Sequence, residues 1–348
     1  IDFKPELIKR YDKAGPRYTS YPTANLFTDE FSPADYQAAA TRSNQETTPK
    51  PLSLYFHIPF CDTVCFYCAC NKIVTKRRDR AVPYLDHLYR EIEMQGKLFD
   101  RSRPVDQLHW GGGTPTFLSH EQMRELMNIT AQNFSLLDDD SGEYSIEIDP
   151  REITPDGVHF LRNIGFNRLS LGVQDFDPRV QKAVNRIQSE EITFAAIEAA
   201  RSANFKSVSV DLIYGLPFQS VKSFLLTLEK VTQSGPDRLS IFNYAHLPTL
   251  FMPQRRINEE DLPSASEKLD ILQAVISYLT DQGYVYVGMD HFARPDDELV
   301  IAQDQGHLYR NFQGYSTHAD CDMVAMGVTA ISQVNDIYSQ NVRDEDSY

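Results

Sequence analysis

The sequence predicts an α/β protein whose main body is a partial (β/α)6 TIM-like barrel, with an irregular N-terminal arm in front of it. From residue 52 onward, short β-rich runs alternate with stretches of helical period. That alternation is left by parallel strands joined through right-handed helical crossovers, in a barrel or a doubly wound sheet. Six such units are fewer than the eight of a closed barrel, which predicts an open barrel with room for a large ligand. The segments rich in Gly, Cys and polar residues follow the runs, on the face where parallel β/α folds build their active sites.

Residues 1–50 hold Gly15, Pro16, Pro22, Pro33 and Pro49 and the aromatic string Tyr11, Tyr18, Tyr21 and Phe27. No helix or strand period runs through them, so they read as an arm laid over the following domain. The predicted strands are 52–58, 105–110, 144–148, 168–173, 207–213 and 238–243, and the helices between them 83–98, 119–134, 155–164, 189–203 and 220–234. Ser119 followed by Gln122 is a capping box. A helix at 263–282 and a run at 284–289 complete a barrel domain over 51–335. No internal repeat or low-complexity tract is visible.

The 348 residues are 41% hydrophobic and 24% charged, which fits a globular chain and excludes disordered, collagenous and disulfide-scaffold classes. No apolar run approaches the ~20 residues needed to span a bilayer, and no charged-then-apolar leader opens the chain. A net charge of −15 repels polyanions, so nucleic acid and anionic membranes are disfavoured as partners. The expectation is a soluble, cytoplasmic monomer in which any acidic ligand meets a local basic patch. The start at Ile1 and the charged run Arg343 to Asp346 suggest a fragment.

Cys61, Cys65, Cys68 and Cys70 fall within ten residues, while Cys321 stands alone and reads as a core thiol. Such clustering points to metal or redox chemistry. Thiolates at this density can wrap a [4Fe-4S] cube, and three ligands leave one iron open to a small molecule. Structural zinc wants four ligands, commonly as two separated pairs, and no second Cys or His pair is present near this loop.

The spacing Cys-x3-Cys-x2-Cys follows Tyr55-Phe56-His57-Ile58-Pro59-Phe60 and has Tyr67 just before the third cysteine. It resembles the radical S-adenosylmethionine enzymes. The stretches Gly15 to Pro22, His109-Trp110-Gly111-Gly112-Gly113-Thr114-Pro115-Thr116 and Asn243-Tyr244-Ala245-His246, with Cys70, narrow the resemblance to the oxygen-independent coproporphyrinogen III oxidases. The resemblance implies a barrel of the radical S-adenosylmethionine type in which Cys61, Cys65 and Cys68 hold the [4Fe-4S] cluster. Cys70 resembles that family's extra, non-ligating cysteine. The family's smaller C-terminal domain, which covers the barrel mouth, is expected to be absent, with residues 336–348 as its start.

The resemblance further implies two S-adenosylmethionine molecules. Tyr55, the backbone at Tyr67, Glu147 and Ile331 align with contacts to the cluster-bound one and Gln174, Arg186, Asp211 and Ala245 with contacts to the second, while Gly112 aligns with one of the two and Gly113 with Thr114 with the other. A carboxylate can accept from ribose hydroxyls or an amino group, and Arg186 can grip a carboxylate bidentately. Bland alternatives stand beside each: a plain turn for the glycines, a solvated strand face for Glu147, a surface pair for Arg186, core packing for Ala245. The glycines lack the Lys of a phosphate loop, which removes a nucleotide-hydrolase reading.

The implied substrate is coproporphyrinogen III, whose two propionates become vinyl groups with loss of carbon dioxide, giving protoporphyrinogen IX in haem biosynthesis under anaerobic conditions. An external one-electron reductant and an electron acceptor are required. Arg17, Lys72, Lys76, Arg77, Arg78, Arg80, Arg255, Arg256 and Arg294 are candidate cations for the substrate's carboxylates, but charge runs are commonly solvated faces and none is assigned as a substrate ligand. His57 reads as a donor to the cysteine loop or a satisfied strand histidine, Trp110 as packing, and Asp290-His291 as substrate contacts or a buried pair. No catalytic side chain is assigned. Rival readings are a related radical S-adenosylmethionine haem-degrading methyltransferase, a haem chaperone and, from another class, an iron-sulfur electron-transfer protein. The Gly-rich and acidic strand ends argue against the last.

Overall fold

The computed structural model describes residues 3–11 and 23–348. The stretch Gly15 to Pro22, with Arg17, Tyr18 and Tyr21, lies outside them. The arm is not irregular throughout: α1 spans Pro5–Tyr11 and α2 spans Pro33–Asn44. Ser32 caps α2 in a capping box with Asp35, with Pro33 at the first helical position. Its buried face is Ala39, Ala40 and Ser43, small residues that leave little hydrophobic periodicity to read.

The barrel strands are β1 (Leu52–Ile58), β2 (Pro104–Gly112), β3 (Glu143–Ile148), β4 (Arg168–Gln174), β5 (Ser207–Tyr214) and β6 (Arg238–Asn243). The helices α3 (Ala81–Gly96), α4 (His120–Asn133), α5 (Pro155–Asn163), α6 (Pro178–Ala183), α7 (Glu190–Ser202), α8 (Val221–Gln233) and α9 (Ala265–Asp281) accompany them. Ser119 and Gln122 form the capping box of α4. Beyond β6 come β7 (Val285–Gly288), β8 (His291–Ala293), α10 (Glu298–Gln305), β9 (Asp322–Met326), β10 (Ile331–Val334) and β11 (Ile337–Gln340).

The sheet order is β7-β8-β6-β5-β4-β3-β2-β1-β9-β10-β11. Its parallel part has two strands more than the six predicted: β9 pairs parallel with β1, Leu52 opposite Asp322, and the two-residue strand Ser135–Leu136 pairs parallel with β2. All five residues of β9 are buried, and so short a run has no period to betray it. Antiparallel strands extend both ends: β7 and β8 beyond β6, β10 and β11 beyond β9.

Alternation along the strands separates two faces. Leu108, Trp110, Ile146, Leu169, Leu171, Val208, Val210 and Ile241 are buried apolar residues under the helices. Trp110 sits between Phe56 and Phe166 as packing. Their neighbours His109, Glu147, Ser170, Asp211 and Ser240 line an interior cavity of about 160 Å³. Parallel register sets Glu147 beside Ser170, and Asp211 beside Gly172 and Ser240. The interior is therefore polar where parallel sheets are commonly apolar on both faces.

A buried ion pair ties the arm to the sheet. Arg103 donates to Asp322 at 2.5 Å, with side chains 1% and 2% exposed, and also to Lys50 O and Asn44 Oδ1. Ser43 of α2 donates to the same carboxylate. Removing one partner strands a buried charge. Asp322→Ala is expected to lower unfolding free energy by roughly 3–5 kcal/mol in denaturant titration. Breaking the exposed Arg77–Asp79 pair with Arg77→Ala leaves the midpoint unchanged.

Candidate active site

The chain leaves β1 through Pro59 into a two-residue strand, Phe60–Cys61, which pairs parallel with Ile73–Val74. This pairing closes the cysteine loop: Ile73 N donates to Pro59 O (2.8 Å) and Thr75 N to Cys61 O (2.9 Å). The body of the barrel grips the loop's middle. Phe66 N donates to Val184 O (2.9 Å), Asn185 Nδ2 to Val64 O (2.8 Å), and Gln254 Nε2 to Tyr67 O (3.0 Å). His57 Nε2 lies 3.1 Å from Asn71 O, so this strand histidine does hold the loop.

Cationic and hydroxyl groups surround the sulfurs. Arg186 and Arg151 point guanidinium nitrogens at Cys65 Sγ (3.4 and 3.5 Å), and Thr114 Oγ1 lies 3.6 Å from Cys61 Sγ. Both arginines are fixed by Asp149, at 2.9 and 2.6 Å. Burial pushes the Cys61 thiol up to about 12. A hydrogen bond from Cys70, with Lys72 nearby, brings Cys68 down to about 6. Lys72 Nζ donates to the carbonyls of Cys68 (3.0 Å) and Cys70 (3.3 Å).

The glycine run after β2 packs directly on this loop. Gly112 has φ +112°, and a Cβ there meets the His57 ring at 2.7 Å. A Cβ on Gly113 meets Pro59 O at 2.6 Å. Gly113 N donates to Ile58 O and Thr114 N to Phe60 O, both 2.8 Å. Close backbone approach, beyond the needs of a turn, requires glycine here.

Glu147 accepts from Gly112 N at 3.2 Å and lies 3.3 Å from His109 Nε2, while its side chain stays 45% accessible, toward the cavity. Burial opposes its ionisation, but the His109 hydrogen bond and charge hold it below the usual carboxylate range. Tyr55 stacks on His109 at 5.8 Å and meets the edge of Phe312 at 5.1 Å. Burial, then the Glu147 charge, pushes Asp211 up to about 6. Ser170 donates to it at 2.9 Å.

Gln174 ends β4 at φ +69°, in the left-handed region that costs a non-glycine residue energy. Its Oε1 is buried without a partner, as is Nε of Arg186. Arg186 also donates to Gly172 O at 2.5 Å. Ala245 is exposed on the loop after β6, and Ile331 begins β10. Neither apolar side chain joins the network that links Tyr55, Gly112 and Glu147, or the one that links Cys65 and Arg186.

Sequence reasoning missed three parts of this site. Asp149 and Arg151 brace Cys65. The hairpin of Tyr309–Asn311 and Gly314–Ser316 lines the cavity and brings Phe312 onto Tyr55. The floor is a charge network in which Arg168 meets Glu298 (2.6 Å) and Arg238 meets Asp297 (2.8 Å). Polar residues at every second position of buried strands were its signal. Several expected cations are already engaged: Arg78 with Glu152, Arg80 with Glu345, Arg255 with Pro248 O and Arg256 over Phe66. Cys321 is no core thiol: it is half-buried, with Sγ 4.0 Å from His318 Nδ1.

A three-cysteine loop stapled to the C-terminal ends of a parallel sheet, beside a polar cavity, defines the class, and residues 55–231 match the Radical SAM superfamily. Among curated proteins, the chain is 57% identical over its full length to the oxygen-independent coproporphyrinogen III oxidase of Pseudomonas aeruginosa, and 53% to that of Escherichia coli K12. It covers 75% of each. The solved structure of coproporphyrinogen III oxidase from Escherichia coli, a radical SAM enzyme, superposes with TM-score 0.94 at 52% identity, over 100% of this chain and 77% of that one. The chain belongs to the oxygen-independent coproporphyrinogen III oxidase family.

Membership implies a [4Fe-4S] cluster and S-adenosylmethionine. The donor set fits them: three cysteines on one gripped loop, guanidinium donors beside Cys65, and orphaned buried atoms on Gln174 and Arg186.

Asp211 makes a test of the cavity's electrostatics. Its carboxyl holds a proton more tightly folded than unfolded, so stability falls as pH rises from 3.8 through about 6. The loss amounts to roughly 3 kcal/mol. Asp211→Asn is expected to unfold at higher temperature than the parent above pH 6, and the gap to close toward pH 4. A gap constant across that range removes this assignment.

Proposed function

We propose that this chain performs the oxygen-independent oxidative decarboxylation of coproporphyrinogen III, converting two propionate side chains to vinyl groups and giving protoporphyrinogen IX. The single observation that carries the reading is the stapled loop of Cys61, Cys65 and Cys68 beside a polar cavity, in a chain of this family. Cys61, Cys65 and Cys68 would hold the cluster, which would supply the one-electron chemistry that lets S-adenosylmethionine initiate removal of a propionate β-hydrogen.

The protein's own groups set the stage for this. Cys61, Cys65 and Cys68 hold the cluster, with Arg186 and Arg151 donating to Cys65. Glu147 stays ionised and open to the cavity, able to accept from an amino group or ribose hydroxyls. With Tyr55, the Tyr67 backbone, Gly112 and Ile331 it forms the proposed seat of the first S-adenosylmethionine.

Gly113, Thr114, Gln174, Arg186, Asp211 and Ala245 form the proposed seat of a second. The orphaned Gln174 Oε1 and Arg186 Nε support it. The (β/α)6 unit is the working body, and the protein acts as a monomer with an external one-electron reductant and electron acceptor. Five free cysteines suit a reducing cytoplasm.

Anaerobic reconstitution with iron and sulfide, then reductant, S-adenosylmethionine and coproporphyrinogen III, is expected to yield 5′-deoxyadenosine together with vinyl product by chromatography. Cys65→Ser abolishes both. Deoxyadenosine without vinyl product transfers the chain to another radical chemistry.

A further inference from the structure

Away from the cysteine loop, three unlike donors converge. An oxygen of Asp106, a ring nitrogen of His318 and Sγ of Cys321 all lie within 4.8 Å of one another. Asp106 is near the start of β2, and Cys321 immediately precedes β9. Both strands run parallel to β1, so the group sits at the opposite end of the strands from the cysteine loop.

We propose that Asp106, His318 and Cys321 form a second metal site, for a borderline-soft divalent ion of the zinc class. Mixed carboxylate, imidazole and thiolate donors are the set such ions take, and three protein ligands leave a fourth position for water. Two features beyond proximity point to a ligand. The first is in the backbone of β2. Leu52 pairs with Val105 and Ser53 with Gln107, which leaves Asp106 as the extra residue of a β-bulge. Bulges re-aim a side chain.

The second is behind the imidazole. His318 Nδ1 faces Cys321 Sγ at 4.0 Å, while Nε2 lies 3.5 Å from the Glu143 carboxylate. A carboxylate on the far ring nitrogen is the arrangement that fixes tautomer and orientation of a metal-bound histidine. Ser316 Oγ accepts from His318 N at 3.0 Å, and Cys321 N donates to His318 O at 3.4 Å, so the turn is shaped before any ion arrives.

On binding, the Cys321 sulfur–metal bond forms as the thiol proton leaves to solvent, and no electron moves. The ion ties the turn between the cavity-lining strand Gly314–Ser316 and β9 to the foot of β2.

The test uses the cluster-loaded chain under anaerobic conditions. Iodoacetamide alkylation of Cys321 is followed by peptide mass spectrometry with and without zinc chloride. Zinc is expected to slow alkylation about tenfold, reversibly with chelator. Asp106→Asn is expected to lose the protection while keeping the parent's iron content and melting temperature without zinc, and His318→Gln to lose it while keeping the parent's iron content. Equal alkylation of the parent with and without zinc overturns the site, as does protection that survives in both variants.

Discussion

The geometry of this protein rests on the close approach of the backbone after β2 to the end of β1. Gly113 and Thr114 continue the ladder past the strands by donating to Ile58 and Phe60. That contact leaves no room for a side chain, since a Cβ at residue 113 meets two backbone carbonyls below 3.0 Å. It fixes where Phe60–Cys61 runs, hence where the loop to Ile73–Val74 closes and where Thr114 meets Cys61. The loop then needs only a few carbonyl contacts, to Val184, Asn185 and Gln254, to be held against the barrel.

The polar interior imposes a second constraint. Charges inside a sheet must be met laterally, and they are: Arg168 by Glu298, Arg238 by Asp297, and Glu143 by His318 and Arg168. Buried pairs of this kind add little net stability over an apolar replacement, whereas an unmatched member costs several kcal/mol. The sheet's stability rests on the opposite face, in residues such as Leu108, Trp110 and Phe166. The inner face is left to arrange charge. Glu147 is kept ionised and Asp211 is poised toward its neutral form a strand or two away.

Much of this was legible in the sequence, for reasons that differ by element. Strands β1 to β6 showed as β-rich runs between capped helices, and the cysteine spacing with the glycine run marked one face. Two elements had no such signal. Helix α2 buries only Ala39, Ala40 and Ser43, so its apolar stripe is faint. Strand β9 is five buried residues with no alternation. Within the site, Arg186 and Gln174 were visible through resemblance to known enzymes. The bracing of Cys65 by Asp149 and Arg151 depends on tertiary contacts that no local pattern encodes. The same holds for the approach of Phe312 to Tyr55.

The position of β9 bears on how the molecule is made. Leu52 belongs to the first strand of the barrel, yet one of its two hydrogen-bonding neighbours is Asp322. A ribosome releases the rest of the parallel sheet long before that partner emerges. Throughout that interval β1 presents an apolar edge with open amides and carbonyls, the template on which foreign strands add. Late insertion of a strand beside the oldest one is a long-range closure, slow by its topology. Chain order alone therefore leaves the covering of this edge to a late step of folding.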